Sequence, residues 1–516
     1  MLQDGRAYCT RARQVIFTES RRSAMNDIFT HIGSKDEKGI FKYNILIDGC
    51  WQCLKSQKTF EVRNPATGEL IGLVPECEAD DVRAAIESAK TVTGIAHFSP
   101  LQRLEIMERA RVILLEHAEL MASIITRESG KPISISMGEV KSTAGRLHLA
   151  REEIRVLYGE YLPGEWVEDT KDKFAIVMRK PLGVVAAISP FNYPLFIAAA
   201  KIIPAILAGN TVIAKPASDT PLSLIHFARI LEAAGMPPGT MNIVSGRGSA
   251  IGDVIIESPD IAAISFTGST GVGEYIASKA GIKKIHLELG GKASAIVLSD
   301  ANLDNAARQI CRGAFRNSGQ RCDAVSRVFI QREVRAAFLE KILAESRRYV
   351  VGDPMKIETE MGTIINRKAA ERIDRLVADA RAKGAAVVLG GTRRDLFYDA
   401  TVIDGVTTDM SIAWEEIFGP VIPIIEVESP EQAVRLSNES EFGLDSCVFT
   451  ESITSAIRIS RELQDGSVTI NAAPAHGVGH FPFGGNKKSG LGREGLKYSI
   501  DELTKLHTVI FADLPG

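Results

Sequence analysis

Short apolar strands alternate with helices between residues 210 and 289, and this alternation constrains the fold more than any other feature. The strand-like runs are NTVIAK, MNIVSG, IAAISFTG and KKIHLEL, and the segments between them have helical spacing. In the helix TPLSLIHFARILEAAG, Thr220 is the expected N-cap, Pro221 the first residue and Gly235 the end. The pattern predicts a parallel sheet with right-handed crossovers, whose ligands bind beyond the carboxyl ends of the strands.

The flanking regions predict helices before this unit and a second α/β unit after it. Apolar residues recur at three- and four-residue spacing between residues 80 and 160, and the run from Leu101 to Gly130 predicts one helix that stops at the glycine. Between Ser294 and Ile470, strands such as SAIVLS alternate with helices such as NLDNAARQICRGAFRN. We therefore assign the chain to the α/β class.

Composition and charge exclude several functional classes. The chain has 516 residues with a net charge of −3, so it lacks the basic footprint of a nucleic-acid-binding or membrane-surface protein. The apolar stretch 183–209 has membrane-spanning length, but Pro190, Pro194 and Pro204 interrupt it, which favours a strand, a turn and a buried helix. The arginine-rich first 25 residues contain no apolar core of a secretory signal, and we expect a cytoplasmic protein.

The cysteines give no sign of disulfides or of a metal site. There are seven, an odd number at scattered positions. Cys50 and Cys53 have C-x-x-C spacing, but no second pair or histidine pair completes a zinc site and no thioredoxin-like βαβ unit surrounds them. Chance spacing is the preferred interpretation, and no metal is predicted.

Two glycine-rich turns, SGRGSAIG and FTGSTGVG, each connect a predicted strand to a predicted helix. Backbone N–H groups at a helix start suit a phosphate, which makes Gly248, Gly252, Gly268 and Ser269 candidate cofactor ligands. Lys215, which ends NTVIAK, could reach a ribose or phosphate, although ordinary turns and a solvated lysine explain the same residues. The literal G-x-G-x-x-G match, GLGREG, follows NKKS rather than a strand and is rejected as a cofactor loop.

Three further residues have side chains that could act together in one reaction. Cys322 follows a predicted helix and sits beside Arg321, whose charge favours a thiolate; Glu288 ends the strand IHLEL; and Asn192 lies in SPFNYP. Taken singly, they could be a buried filler, a structural ion pair and an Asx turn. Together they supply a nucleophile, a carboxylate base and an amide donor for covalent catalysis on a carbonyl. With a dinucleotide, that carbonyl is expected to be an aldehyde undergoing oxidation.

Seven separated motifs resemble the NAD(P)-dependent aldehyde dehydrogenase superfamily, in that family's order. They are SPFNYP, VIAKP, FTGSTGVG, LELGGK, NSGQRC, EEIFGP and FPFGGNKKSGLGREG, within a match that runs from Tyr43 to Phe511. The resemblance implies that Cys322 is the nucleophile and Glu288 the general base. It also implies that the side chain of Asn192 and the backbone N–H of Cys322 form the oxyanion hole.

The same resemblance implies the cofactor contacts. Lys215 would bind the adenosine ribose, Ser269 and its neighbouring glycines the pyrophosphate, and Glu416 and Phe418 the nicotinamide end. Many NAD-using members carry glutamate three residues after this lysine, whereas this chain has Ser218. The hydroxyl removes a repulsion against a 2′-phosphate, so we predict that NADP is accepted, with NAD use also open.

For the substrate, NSGQRCDAVSRV and TTDMSIAWEEIFGPVIPII resemble the branch of non-phosphorylating glyceraldehyde-3-phosphate dehydrogenases and lactaldehyde dehydrogenases. In that branch, residues matching Arg321 and Tyr193 help to hold a substrate phosphate. Lys141 and His476 occupy positions at which one subgroup has arginines, and both side chains can bind an anion when they are protonated. We expect a small aldehyde with a phosphate, sulfonate, phosphonate or carboxylate, glyceraldehyde 3-phosphate first. Lactaldehyde and succinic semialdehyde are the alternatives, and a non-catalytic role is disfavoured because the catalytic residues are present.

The resemblance also implies the domain plan. Residues 41–159 and 180–290 would form a Rossmann-type dinucleotide-binding domain and residues 291–489 an α/β catalytic domain. Residues 160–179 and 490–516 would form a small β arm, in which the hairpin pairs across subunits with the tail LHTVIF in a homodimer or homotetramer. Residues 1–40 are expected to be a disordered extension.

Overall fold

The alternating segment folds as a six-stranded sheet in the computed structural model, which describes residues 26–512 except residues 93 and 476. Five strands are parallel and the last, a two-residue strand, is antiparallel. The strands, in spatial order, are Met241–Ile243, Thr211–Lys215, Val184–Ile188, Ile261–Thr267, Lys284–Glu288 and Gly490–Leu491. Their residues are largely buried because helices cover both faces, and the predicted α/β fold is confirmed.

The helices of this unit bring apolar faces to one large core. Before the sheet they are Ala79–Thr91, Gly94–His97, Pro100–Glu116, Ala118–Ser129 and Ile133–Glu153, and within it Phe196–Leu207, Leu222–Ala233, Gly248–Glu257, Thr270–Lys279 and Leu496–Glu502. The predicted stop at Gly130 is confirmed: its φ is +73°, and a Cβ there would lie 2.0 Å from Thr363 Oγ1. The single helix predicted from Leu101 is wrong, because the helical path breaks at His117.

A seven-stranded sheet forms the second unit, which is parallel except for its first edge strand. In spatial order its strands are Ala386–Leu389, Thr401–Asp404, Val421–Val427, Val325–Gln331, Ala293–Val297, Asp445–Phe449 and Ser467–Ile470. Its helices are Leu303–Phe315, Arg332–Ser346, Arg367–Ala382, Pro430–Asn438 and Ile453–Glu462. Two clusters of buried apolar residues cover its faces.

A three-stranded antiparallel sheet contains the predicted arm. The tail strand Thr504–Ala512 pairs along its whole length with Lys173–Pro181, which also pairs with Glu160–Pro163. The tail therefore pairs with the hairpin of its own chain, not across subunits as predicted. Residues 490–503 were also assigned to the arm, but Gly490–Leu491 joins the six-stranded sheet and Leu496–Glu502 packs on the helix Phe196–Leu207.

The segment before residue 41 is ordered from residue 26 onward, contrary to the predicted disorder. The turn Asn26–Ile32 leads into Gly33–Lys35, which pairs with Phe41–Tyr43 in a four-stranded sheet with Leu70–Pro75 and Thr59–Arg63. Ile32 is buried, and the ring of Phe29 packs on His117 and His226. Apolar burial fixes this stretch, and residues 1–25 lie outside the described part.

Remaining short elements complete the described chain. The two-stranded pairs are Ile45–Ile47 with Cys50–Gln52, Arg393–Arg394 with Phe397–Tyr398, and Phe442–Gly443 with Asn486–Lys487. Short 3₁₀ turns occupy Ile154–Leu157, Glu168–Thr170, Arg316–Gly319 and Ser411–Ala413. Across residues 26–512, as far as described, no helix has the length and apolarity needed to span a membrane.

Two buried carboxylates cap helices that lead to the site. Leu222 N–H and Ser223 N–H donate to the two oxygens of Glu128, at 2.7 and 3.0 Å, so this side chain caps the helix where Thr220 was predicted to do so. Leu195 N–H and Phe196 N–H donate to Glu139 Oε1 at 2.9 and 3.0 Å. Both carboxyl groups satisfy the backbone donors of these helix starts, and burial raises the pKa of Glu128 to about 8.

Glu139 also forms an ion pair inside the core. Lys131 Nζ lies 2.5 Å from Glu139 Oε2 with both side chains fully buried, and the same ammonium lies 3.9 Å from the centre of the Tyr193 ring. A buried charge is costly unless it is paired and hydrogen-bonded, which both of these are. The pair therefore ties the helix Ile133–Glu153 to the turn that holds Asn192 and Tyr193.

Breaking this pair should destabilise the whole protein. We expect E139Q to lower the free energy of unfolding by about 3 kcal/mol or more, because it leaves the Lys131 ammonium buried without its counter-charge. Urea denaturation followed by circular dichroism measures the change. K131M combined with E139Q should be less destabilised than the sum of the single variants. E439Q, in the exposed pair of Arg435 and Glu439, is the matched control; an equal loss there would contradict the assignment.

Candidate active site

Cys322 follows a turn with unusual backbone geometry. Asn317, Ser318 and Gly319 have φ values of 54°, 53° and 71°, in the left-handed region that non-glycine residues rarely adopt. The side chain of Gln320 holds this turn, since its amide donates to Thr363 O at 3.0 Å and its Oε1 accepts from Ile365 N–H at 2.9 Å. Such strain is retained where the surroundings fix it, and here it presents Cys322 at the end of the turn.

Asn192 lies against the same turn. Its Nδ2 donates to Gln320 O at 2.9 Å, and Asn317 Nδ2 donates back to Asn192 O at 3.2 Å. The two reciprocal bonds fix the SPFNYP turn relative to the backbone that leads to Cys322. The predicted nucleophile and the predicted amide donor are therefore held together by residues distant in sequence.

The electrostatic surroundings of Cys322 differ from the sequence expectation. Burial raises the pKa of this thiol well above its ordinary value, and the carboxylates of Asp323, Glu288 and Asp445 raise it further. Arg321 lowers it, as expected, but its guanidinium is already paired with Asp323 at 2.6 Å. The thiol is therefore protonated at neutral pH in this state, and the expected effect of Arg321 is outweighed.

Glu288 ends its strand, almost completely buried, with Cys322 lining the same cavity. His286, two residues earlier on the same face of the strand, places its Nε2 2.9 Å from Glu288 Oε1. A carboxylate at this point is placed to act as a base for Cys322 or for a water molecule beside it. The imidazole contact was not predicted.

Two cavities meet at Cys322. One, of about 320 Å³, is also lined by Tyr193 and Glu288; the other, of about 820 Å³, runs along the carboxyl ends of the first sheet. Asn192, Thr267 and Cys322 line both. A small molecule in the first cavity and a dinucleotide in the second would meet at the sulfur.

The larger cavity contains most of the predicted cofactor residues. Lys215, Gly248, Gly252, Gly268, Ser269, Glu416 and Phe418 all line it. Ser218 does not line it, and its hydroxyl donates to Gly246 O at 3.1 Å beside the first glycine turn. A Cβ at Gly248 or Gly252 would meet no atom within 4 Å, so the wall is open for a ligand to approach the backbone.

Charge and hydrogen-bond donors in this cavity also fit a dinucleotide. Helices that begin at Gly248 and Thr270 direct their N-termini to it, as the phosphate hypothesis requires. Burial lowers the pKa of Lys215 to about 8. Glu416, whose pKa is raised by burial, accepts from Gly291 N–H at 3.1 Å.

The smaller cavity is lined by some of the predicted substrate residues and not by others. Arg321 and Tyr193 line it. Lys141 does not: it is solvent-exposed, because the helix turns Glu139, Ser142 and Arg146 toward the cavity and Lys141 away. His476 lies outside the described residues.

Two cavity arginines were missed in the sequence. Arg146 is buried, lies 3.5 Å from Glu494, and has two guanidinium nitrogens, Nε and Nη1, without a hydrogen-bond partner. Arg316 stands at the start of the strained turn and is half-buried. The sequence did contain a signal for Arg146: it lies in the apolar face of the helix segment GRLHLA, where a solvent-exposed residue is not expected.

The family is identified by comparison with known proteins. The model described as "Aldehyde dehydrogenase family" matches residues 51–509. The chain belongs to the aldehyde dehydrogenase family. It is 41% identical to the NADP-dependent glyceraldehyde-3-phosphate dehydrogenase of Streptococcus equinus over 472 residues, which cover 91% of this chain and 98% of that one. This aldehyde dehydrogenase is also 37% identical to the 3-sulfolactaldehyde dehydrogenase of Priestia aryabhattai, with 91% and 98% covered.

Solved structures agree with the sequence matches. The crystal structure of NADP-dependent glyceraldehyde-3-phosphate dehydrogenase from Bacillus halodurans C-125, complexed with NADP, superposes with a TM-score of 0.90 at 41% identity. The match covers 92% of this chain and 99% of that one. The protein is therefore an NAD(P)-dependent aldehyde dehydrogenase, an oxidoreductase that acts on small aldehydes, and the family assignment made from seven motifs is confirmed.

The raised pKa of Cys322 predicts how this thiol reacts with iodoacetamide. Labelling without cofactor should be slow at pH 7 and accelerate as pH rises, because only the thiolate reacts. We expect D323N to label several-fold faster at pH 8, since a carboxylate that raises the pKa is removed, and R321Q to label more slowly. Peptide mass spectrometry separates Cys322 from the exposed Cys50 and Cys53. Faster labelling of R321Q would contradict this electrostatic account.

Proposed function

We propose that this aldehyde dehydrogenase oxidises a small anionic aldehyde to its carboxylic acid through Cys322, with glyceraldehyde 3-phosphate the leading candidate. The observation that carries the proposal is the arginine set, Arg146, Arg316 and Arg321, in the cavity beside Cys322. Arg321 is partly neutralised by Asp323 and Arg146 by Glu494, and the N–H donors that remain on the three guanidinium groups can bind a substrate anion. The Streptococcus equinus and Priestia aryabhattai relatives are named for a phosphate- and a sulfonate-bearing aldehyde, which fits this charge.

The three arginines are not equivalent as anion ligands. Arg321 forms an ion pair with Asp323 at 2.6 Å and donates to Pro474 O at 3.3 Å. Its charge is therefore partly neutralised, and some of its N–H groups already have acceptors. Burial lowers its pKa, but Asp323 and Tyr193 outweigh that effect and keep it protonated. Arg146 has guanidinium nitrogens that lack hydrogen-bond partners, and Arg316 projects from the turn that carries the nucleophile. We infer that Arg316 and Arg146 supply most of the attraction for the anion and that Arg321 orients it.

The covalent step follows from the positions around Cys322. Cys322 first loses its thiol proton to solvent, and the thiolate then attacks the aldehyde carbon to form a thiohemiacetal while Glu288 stays ionised. The Nδ2 of Asn192 and the backbone N–H of Cys322 donate to the developing oxyanion. A nicotinamide held in the larger cavity would supply the hydride acceptor for oxidation to the thioester. Glu288 then removes a proton from the water molecule that attacks the thioester and passes it to the departing Cys322 sulfur, which releases the acid and restores the thiol and the ionised base.

A panel of aldehydes tests the proposal by NAD(P)H absorbance at 340 nm. We expect glyceraldehyde 3-phosphate and 3-sulfolactaldehyde to exceed lactaldehyde in kcat/KM, and R316Q to lose about 10–100-fold on the anionic substrates only, since a hydrogen bond to a charged group contributes about 1.5–3 kcal/mol. K141Q is the matched control and should be unchanged. C322A should be inactive. Equal use of lactaldehyde, or no selective loss in R316Q, would contradict the anionic-substrate proposal.

NADP use is proposed to depend on the absence of an acidic side chain at Ser218. Its hydroxyl lies beside the first glycine turn, near the end of the strand that carries Lys215. S218E should lower kcat/KM for NADP by roughly tenfold or more, because a carboxylate repels the 2′-phosphate, and should change the value for NAD much less. Steady-state assays at fixed aldehyde measure both. A parallel loss with both coenzymes would show that residue 218 does not discriminate between them.

We propose that the chain forms homo-oligomers through its three-stranded sheet. Several of its large apolar side chains are exposed, with Trp166 at 83%, Tyr161 at 64% and Ile510 at 65%. An apolar face of this kind with a free strand edge marks an association surface.

We also infer that the six-stranded unit binds the dinucleotide and the seven-stranded unit supplies Cys322.

A further inference from the structure

Glu288 is held by a histidine that the mechanism above does not use. His286 and Glu288 occupy alternate positions of the strand Lys284–Glu288, so their side chains lie on one face. The Nε2 of His286 is 2.9 Å from Glu288 Oε1, and both side chains are almost completely buried. The contact is direct and shielded from solvent, where a hydrogen bond has its largest electrostatic effect.

The other side of the imidazole continues into a chain of polar groups. His286 Nδ1 lies 3.4 Å from Ser265 Oγ, and Lys201 Nζ lies 3.3 Å from the same oxygen. Ser265 belongs to the neighbouring strand and Lys201 to the helix Phe196–Leu207. Four buried polar side chains from three elements are therefore connected in series and end on the carboxylate of Glu288.

The donors and acceptors in this chain fix its direction. An ammonium group has only donors, so Lys201 donates to Ser265 Oγ. The other end of the chain sets the tautomer, because the carboxylate of Glu288, ionised as the proposed base, can only accept. His286 Nε2 therefore carries the hydrogen and donates to Glu288 Oε1, and the neutral imidazole accepts at Nδ1 from the Ser265 hydroxyl.

The imidazole is neutral in these surroundings. Burial, together with the nearby charge of Lys201, lowers the pKa of His286 to about 4. The charged and titratable groups that face the His286–Glu288 pair are Lys201, Cys322, the loop residues Arg493 and Glu494, and Glu502 at the end of the helix Leu496–Glu502. His286 is therefore neutral at neutral pH, and its uncharged N–H group donates the hydrogen bond to Glu288.

We propose that His286 is a positioning residue for Glu288, which it holds in one orientation and keeps ionised through a hydrogen bond that Ser265 and Lys201 support from the other side of the imidazole. The inference rests on the proposed role of Glu288 as the base. A hydrogen bond donated to a carboxylate favours its charged form, so the base is ready to accept a proton from the attacking water. The bond also limits rotation of the carboxylate, which general-base catalysis requires for alignment.

The test compares H286L with H286Q, which retains a side-chain N–H donor, in the full chain with NADP and glyceraldehyde 3-phosphate. In H286L we expect kcat to fall about tenfold, less than the hundredfold or greater loss expected for removing the base in E288Q. The acidic limb of the kcat–pH profile should move to higher pH by about one unit, because loss of the donor raises the pKa of the carboxyl group. H286Q should recover most of the rate and the position of the limb.

Rapid-mixing measurements identify the affected step. Hydride transfer precedes hydrolysis, so H286L should show a burst of about one NADPH per active site at a rate close to that of the unaltered enzyme, followed by slow turnover. S265A should shift the profile in the same direction by a smaller amount, because the imidazole loses the partner that fixes its tautomer. H226L is the control: His226 is equally buried but bonds only to Leu222 O, at 2.8 Å, and its loss should lower Tm without moving the profile.

The outcomes separate this inference from the proposed function. A kcat–pH profile of H286L that superimposes on that of the unaltered enzyme after uniform scaling, with no burst, would overturn the positioning role while E288Q remains inactive. If H286L does not fold, a kcat–pH profile of S265A that superimposes on that of the unaltered enzyme would overturn it. Full activity in C322A would instead overturn the proposed mechanism, whatever H286L does.

Discussion

The buried carboxylate of Glu139 is the interaction on which the site depends. Its Oε1 accepts from two backbone N–H groups at the start of the helix Phe196–Leu207, and its Oε2 pairs with Lys131. Lys131 in turn contacts the Tyr193 ring and follows Gly130, whose carbonyl accepts from Thr363 N–H at 3.0 Å in the second unit. Because water cannot replace any of these partners in the interior, the turn that holds Asn192 is fixed relative to both units.

The groups proposed to react lie where the two units meet, and each is held by partners from elsewhere in the chain. Asn192 is bonded to the backbone at Gln320, and Gln320 is bonded to residues 363 and 365. Glu288 is bonded to His286, which belongs to a polar chain within the first sheet. The strained turn before Cys322 persists because these bonds outweigh the cost of its left-handed residues. The loop that carries Cys322, the proposed nucleophile, and Glu288, the proposed base, are thus held by different sets of hydrogen bonds.

Much of this arrangement could be predicted from the sequence, and the failures have specific causes. Cys322, Asn192 and the predicted cofactor residues other than Ser218 line the two cavities, because backbone turns with fixed glycine positions leave a short local signature in the sequence. Lys141 was misplaced because neighbouring positions on a helix differ by 100° in direction, so that Ser142 faces the cavity and Lys141 faces solvent. Arg316 was missed because an isolated arginine has no local pattern that distinguishes a cavity wall from a surface, whereas Arg146 was missed although its place in the apolar face of its helix was a signal.

The sequence by itself determined the α/β alternation, the family and the chemical identity of the reacting groups, because these depend on local periodicity and on short motifs. Only the tertiary structure decided the electrostatics of the site. Arg321, adjacent in sequence, was expected to favour the Cys322 thiolate, whereas burial and the carboxylates of Glu288 and Asp445, distant in sequence, raise the pKa of the thiol. Electrostatic interactions act through space and depend on burial, so the state of each group is set by neighbours that the chain brings together only when it folds.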